Sequence, residues 1–152
     1  MIDYSHKRYF TSYSWTLRDP PSELQRFNEA FSDYDAVSED EWTHIHATDY
    51  NTSYLIVPLS RFSEVVEVLP IGNQLTLRNV VNSLYEFYHK PLKQEDIDKI
   101  KNFPDTLGYV QDLQKCYEDG KQMAYIDLRG DSIYFEGIER VKANVYKLNL
   151  GS

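Results

Sequence analysis

Residues 75–88, LTLRNVVNSLYEFY, constrain the fold most, because start signal, apolar period and length agree there on one structure. Thr76 is suited to cap a helix by accepting a backbone N–H bond, and Leu77, Val80, Val81, Leu84, Phe87 and Tyr88 follow the i, i+3, i+4, i+7 spacing of one buried face. The segment is predicted as a core helix, closed by Lys90-Pro91 because the residue before proline avoids the helical region.

Around it the apolar pattern changes period. Residues 1–18 carry Tyr4, Tyr9, Phe10, Tyr13 and Trp15, too aromatic for a disordered tail. Pro20-Pro21-Ser22 with Gln25 predicts a capped helix whose face is Leu24, Phe27 and Phe31, followed by an acidic surface loop over 33–41. The β-rich runs 54–57 and 65–68 predict two paired strands joined by a turn at 60–63, with Pro58 at a strand end or edge. Ile71-Gly72-Asn73-Gln74 then turns the chain into the central helix. Two more helices are predicted at 93–101, with Ile97 and Ile100 inward, and at 105–118, with Tyr109, Leu113, Cys116 and Tyr117 on one side and Gly120 as its stop. Strands at 123–129 and 132–136 are expected to form a hairpin across Gly130-Asp131, and a last strand at 144–150 points Tyr146, Leu148 and Leu150 inward. The pattern gives a single α+β domain, mostly antiparallel sheet with about four helices packed on it. Its parts are an aromatic N-terminal segment at 1–18 and a globular domain at 19–150, with Gly151 and Ser152 read as a cloning remnant.

A chain of 152 residues buries about 70% of its unfolded surface, so this one needs neither disulfide nor structural metal to fold. No apolar run approaches the roughly 20 residues of a membrane span, and no membrane partner is expected. The start MIDYSHKRYF lacks the pattern of a secretory signal, and Cys116 has no internal partner, which together point to an intracellular, cytoplasmic setting. A formal charge of −8 repels a phosphate backbone, and His6-Lys7-Arg8 is the only compact basic cluster, so no nucleic-acid partner is expected.

Several motifs together resemble a known family. Ala47-Thr48 before an apolar strand, the helix start Leu75-Thr76-Leu77-Arg78-Asn79-Val80-Val81 running to Leu84-Tyr85, Asp127-Leu128, Phe135-Glu136-Gly137-Ile138 and the closing Val145-Tyr146-Lys147-Leu148 occur in its order and spacing. Over residues 45–150 the chain resembles an uncharacterised α+β domain family found mostly in fungi and in some large DNA viruses. The resemblance implies an α+β fold and no particular activity. A viral origin would imply binding of a host factor or a place in the virion.

Candidate chemistry is sparse. His44-Ile45-His46 with Asp49 is the best metal-like cluster, because alternate residues of a strand share a face and two imidazoles plus a carboxylate suit zinc or iron; solvent-facing strand residues, with Ile45 and Ala47 inward, are the simpler account. His6 and His89 are isolated. Arg129-Gly130-Asp131 spells an adhesion tripeptide that turn geometry explains equally. Glu39-Asp40-Glu41 fits a solvated loop, Glu95-Asp96 the first turn of a helix, and Cys116 a buried thiol. No catalytic residue and no cofactor is assigned. The 13 tyrosines are either decoration of the sheet faces or an interface, where an apolar body meets a wet rim. The first expectation is therefore a non-enzymatic interaction or structural module, binding another protein or itself. Tyr9, Phe10, Tyr13 and Trp15 are its candidate surface, unless they cover a sheet edge. The alternative is a small metal-dependent hydrolase using His44, His46 and Asp49.

Overall fold

The computed structural model describes residues 7–60, 65–101 and 107–152. Tyr4 and His6, most of the turn expected at 60–63, the start of the helix expected from 105 and the side chain of Tyr109 lie outside the described residues. In chain order the first strands are β1 (Arg8–Tyr9), β2 (Tyr13–Ser14), β3 (Gln25–Asn28) and β4 (Asp33–Ala36), followed by helix α1 (Glu39–Thr43). Strands β5 (Ala47–Thr48), β6 (Tyr54–Pro58), β7 (Val66–Pro70) and β8 (Gln74–Leu75) lead into helices α2 (Leu77–Tyr88), α3 (Gln94–Ile100) and α4 (Leu107–Glu118). The chain ends in β9 (Tyr134–Lys142) and β10 (Val145–Gly151). The protein is thus an α+β fold in which antiparallel pairing dominates.

The main sheet has the order β1-β9-β10-β6-β7, antiparallel throughout except where β10 runs parallel to β6. Alternation along β6 and β10 sends Leu55, Val57, Tyr146 and Leu148 into the core, and β9 adds Phe135 and Ile138 on either side of a register shift. Helix α2 covers that layer with the six residues that its period had selected, all buried. The Thr76 hydroxyl accepts the Asn79 N–H at 3.0 Å, satisfying one donor that a helix start otherwise leaves open. At its far end the Tyr88 hydroxyl donates to the Pro58 carbonyl at 2.6 Å and ties the helix to the end of β6. Burial holds that hydroxyl's pKa above its ordinary value. Helices α3 and α4 add Ile97, Ile100, Val110 and Leu113 to the same cluster. No helix among the described residues is long and apolar enough to cross a membrane.

The N-terminal segment is part of this core. Arg8 and Tyr9 pair with Glu139 and Ile138, Phe135 donates its N–H to the Trp15 carbonyl at 2.9 Å, and Leu17 donates to the Ile133 carbonyl at 3.0 Å. Residues 8–9 and 15–17 therefore cover the outer side of β9 and the residue before it, and Tyr9, Phe10, Trp15 and Leu17 are buried. The approach is so close that a Cβ on Gly137, whose φ is +88°, would lie 2.5 Å from the Tyr9 carbonyl oxygen. Glycine is the residue that fits both constraints.

Several sequence expectations are corrected. No helix spans 22–31: Pro21–Glu23 is a single 3-10 turn, and the chain then extends as β3 because Arg26 and its neighbours pair with β2 and β4. The acidic stretch read as a loop contains β4 and α1, and the Ser38-x-x-Glu41 capping box that starts α1 is present in the sequence. Residues 125–129 are a 3-10 turn instead of a strand, because the Asp127 carboxylate accepts the Ala124 N–H at 2.8 Å. The hairpin partner of β9 is β10, through a turn at Ala143-Asn144. Ile45 is exposed, since residues 44–46 precede β5 and belong to no strand. Gly151 belongs to β10, opposite Tyr134.

Two substitutions test these contacts. Leu84→Ala, at a fully buried site, is expected to cost about 2–5 kcal/mol in denaturant unfolding through lost burial and the cavity left behind. Gly137→Ala is expected to cost at least about 1–3 kcal/mol and to raise amide exchange at Arg8 and Tyr9, because strain and the clash with Tyr9 both oppose it. Unchanged exchange there would mean that β1 does not depend on the close approach.

Candidate interaction surface

The small sheet β2-β3-β4 joins the aromatic N-terminal segment, which supplies β2, to the hairpin of residues 25–36. Proline at 20 and 21 sets an extended entry and a 3-10 turn, in which Leu24 donates its N–H to the Pro21 carbonyl at 3.2 Å. Leu24 is buried and anchors the start of β3. A loop at residues 29–32 closes the β3–β4 hairpin, with Ser32 left-handed at φ +49° and the Asn28 side chain accepting the Ala30 N–H at 3.1 Å.

One face of this sheet is a polar network. Tyr13, Arg26 and Asp35 stand opposite one another across the three strands. The Tyr13 hydroxyl donates to Glu41 at 2.9 Å, Arg26 lies 3.2 Å from Asp35 and 3.6 Å from Glu41, and the Asn28 amide donates to Asp35 at 2.9 Å. Helix α1 is held against the sheet through Glu41. Burial first, then the hydrogen bond to Glu41, pushes the Tyr13 pKa up to about 12. Burial alone would raise the Glu41 carboxyl, but the hydroxyls of Tyr13 and Ser38, the Ser38 N–H and the charge of Arg26 hold it below its ordinary value.

The opposite face is aromatic and open. Side chains alternate along a strand, so Phe27 and Tyr34, which are directly paired, lie on the side away from Arg26. Their ring centroids are 5.4 Å apart at 59°, and they remain 39% and 48% exposed. Phe31, in the hairpin loop, is 79% exposed. Beside the pair is a hollow of about 420 Å³ whose lining includes Thr11, Ser12, Ser14 and Glu29. A hollow of about 350 Å³ at the other end of β4 is lined in part by Leu24, Ala36, Val37 and Trp42.

The residues singled out from sequence occupy different places. Tyr9, Phe10 and Trp15 are only 7%, 6% and 3% exposed, so in this fold they are core and offer no surface to a partner. Tyr13 is half-buried in the polar network. His44 and His46 do meet, with ring centroids 4.7 Å apart and edge to face, and His46 also packs edge-on against Phe10 at 4.8 Å. Burial, then the charges of His44 and Lys7, lower the His46 pKa. Asp49 instead accepts the Asn51 N–H at 3.1 Å, and no three His, Cys, Asp or Glu side chains among the described residues are grouped to hold a metal. Arg129 is buried and donates to the Ser132 carbonyl and hydroxyl at 3.3 and 3.1 Å, so the Arg-Gly-Asp tripeptide is not a displayed tip. Asp96 is buried as the acceptor of both the Lys93 N–H and the Tyr125 hydroxyl, at 3.0 and 2.9 Å. The helical spacing of Phe27 and Phe31 competes with a strand signal in the polar alternation Arg26-Phe27-Asn28 and Asp33-Tyr34-Asp35.

The Tyr13–Glu41 bond has a defined pH signature. Glu41 titrates below its ordinary 4.5 in the folded state, so its contribution is present above that pH and is lost as pH falls through the folded value. Tyr13 titrates near 12 against 10.0 when free, so its contribution is full below 10.0 and is lost as pH rises toward 12. Tyr13→Phe is expected to flatten both arms of the stability profile and to cost about 0.5–1.5 kcal/mol near neutrality, read from unfolding midpoints across pH. A profile identical to that of the parent would show that the bond does not form in solution.

In comparisons with known proteins the chain matches no family model, no curated protein and no solved structure.

Proposed function

We propose that this protein is a non-enzymatic interaction module that binds another protein through the aromatic face of β2-β3-β4. The observation that carries the reading is the exposure of the paired Phe27 and Tyr34 on one face of this sheet, with Phe31 exposed in the loop that joins their strands. Aromatic rings left in water are costly, and when they cluster beside a hollow they supply contact area at low conformational cost. The opposite face is already occupied by the Tyr13, Arg26, Asp35 and Glu41 network, which fixes the strands and so preorganises the rings. The candidate surface thereby passes from Tyr9, Phe10 and Trp15 to Phe27, Phe31 and Tyr34. Tyr13 supports it from beneath.

The test is binding of the natural partner by Phe31→Ala and by Phe27→Ala with Tyr34→Ala, alongside thermal unfolding. Phe31→Ala is expected to leave stability within about 0.5 kcal/mol, as for an exposed residue, and to weaken association at least about tenfold, as for a central aromatic anchor. Full partner binding by the triple variant would overturn the reading.

A further inference from the structure

We infer that the occupant of the aromatic face is a basic segment of the partner, one that brings Lys or Arg side chains to the Phe27–Tyr34 pair. The inference rests on the interaction reading above and adds the chemistry of the ligand. Residues 23–41 hold seven Asp and Glu against the single Arg26, six of the chain's eight net negative charges in one short stretch. Arg26 is spent on Asp35 and Glu41 within the polar face. Glu29 lines the hollow together with Phe27 and Tyr34 and forms no ion pair among the described residues. Asp33, paired with Asn28 at the start of β4, lies toward the polar side by the same alternation and adds its charge to the field at this end of the molecule.

A surface of exposed rings with the Glu29 carboxylate beside them, in an acidic stretch of the chain, matches one side-chain type best. The aliphatic stem of Lys or Arg covers the rings, the cation lies over a ring face, and its head reaches a carboxylate. An acidic or phosphate-bearing partner is repelled by the same charges, whereas a basic one is also steered toward this end of the molecule. A purely apolar ligand leaves Glu29 without a counterpart at the rim.

The experiment is a titration of the full chain, followed by backbone amide shifts, with two synthetic octapeptides. One alternates Lys and Leu, and the other carries Gln in place of every Lys. The Lys peptide is expected to shift amides of residues 26–36 and to bind roughly tenfold more tightly than the Gln peptide at low salt, with the difference shrinking as salt rises. Glu29→Gln should sharply reduce that difference, and Phe31→Ala should weaken both peptides. Equal binding of the two peptides at the hairpin would overturn the charge inference and leave the interaction surface standing. A Lys peptide whose shifts scatter over acidic residues elsewhere, with the hairpin unmoved by either peptide, would overturn both.

Discussion

The pairing of residues 8–9 and 15–17 along β9 is the constraint on which the rest of the structure depends. It covers the outer side of a strand that would otherwise present unpaired backbone groups, and it carries Tyr9, Phe10, Trp15 and Leu17 into the core. Its geometry rests on a glycine at 137, because the Tyr9 carbonyl occupies the space a side chain would need there. The Trp15 indole N–H finds the Asp19 carbonyl at 3.0 Å and its ring meets Phe135 edge-on, so the largest side chain in the segment is buried without an unsatisfied donor. With the segment anchored at both ends, its middle is free to leave β9 and pair with β3 as β2.

That departure creates the small sheet and its two unlike faces. Strand alternation separates Arg26 from Phe27 and Asp35 from Tyr34, and the paired register sorts polar residues onto one side and aromatic ones onto the other. The polar side is consumed by contacts to α1, where Ser38 and Glu41 cap the helix and Glu41 also receives the Tyr13 hydroxyl. Nothing among the described residues covers the aromatic side to the same degree. Rings already held by a strand pair would lose little freedom on binding, which is the physical basis of the proposed recognition role.

The tyrosines illustrate how one residue type serves both ends. Tyr88 and Tyr146 are buried with hydroxyls bonded to the Pro58 carbonyl and to Arg140, at 2.6 and 2.8 Å. Tyr34, Tyr54, Tyr117 and Tyr134 are exposed. Core filling and surface display therefore coexist, and abundance alone does not separate them.

The sequence by itself determined the central helix, the β6–β7 pair, α3 and the last strand, since each of these carries its information locally. Thr76 caps its own helix, the apolar period of 77–88 is complete within the segment, and Tyr146 and Leu148 alternate whatever their neighbours are. Tertiary structure alone decided the segments whose local signals compete. Residues 22–31 satisfy a helical template and a strand template alike, and pairing with β2 and β4 selected the strand. Residues 123–129 looked like a strand until Asp127 capped a 3-10 turn. The candidate surface belongs to this second group: whether an aromatic ring is core or surface depends on which other segment reaches it. Backbone pairing between distant parts of the chain buried Tyr9 and Trp15 and left Phe27 and Tyr34 in water.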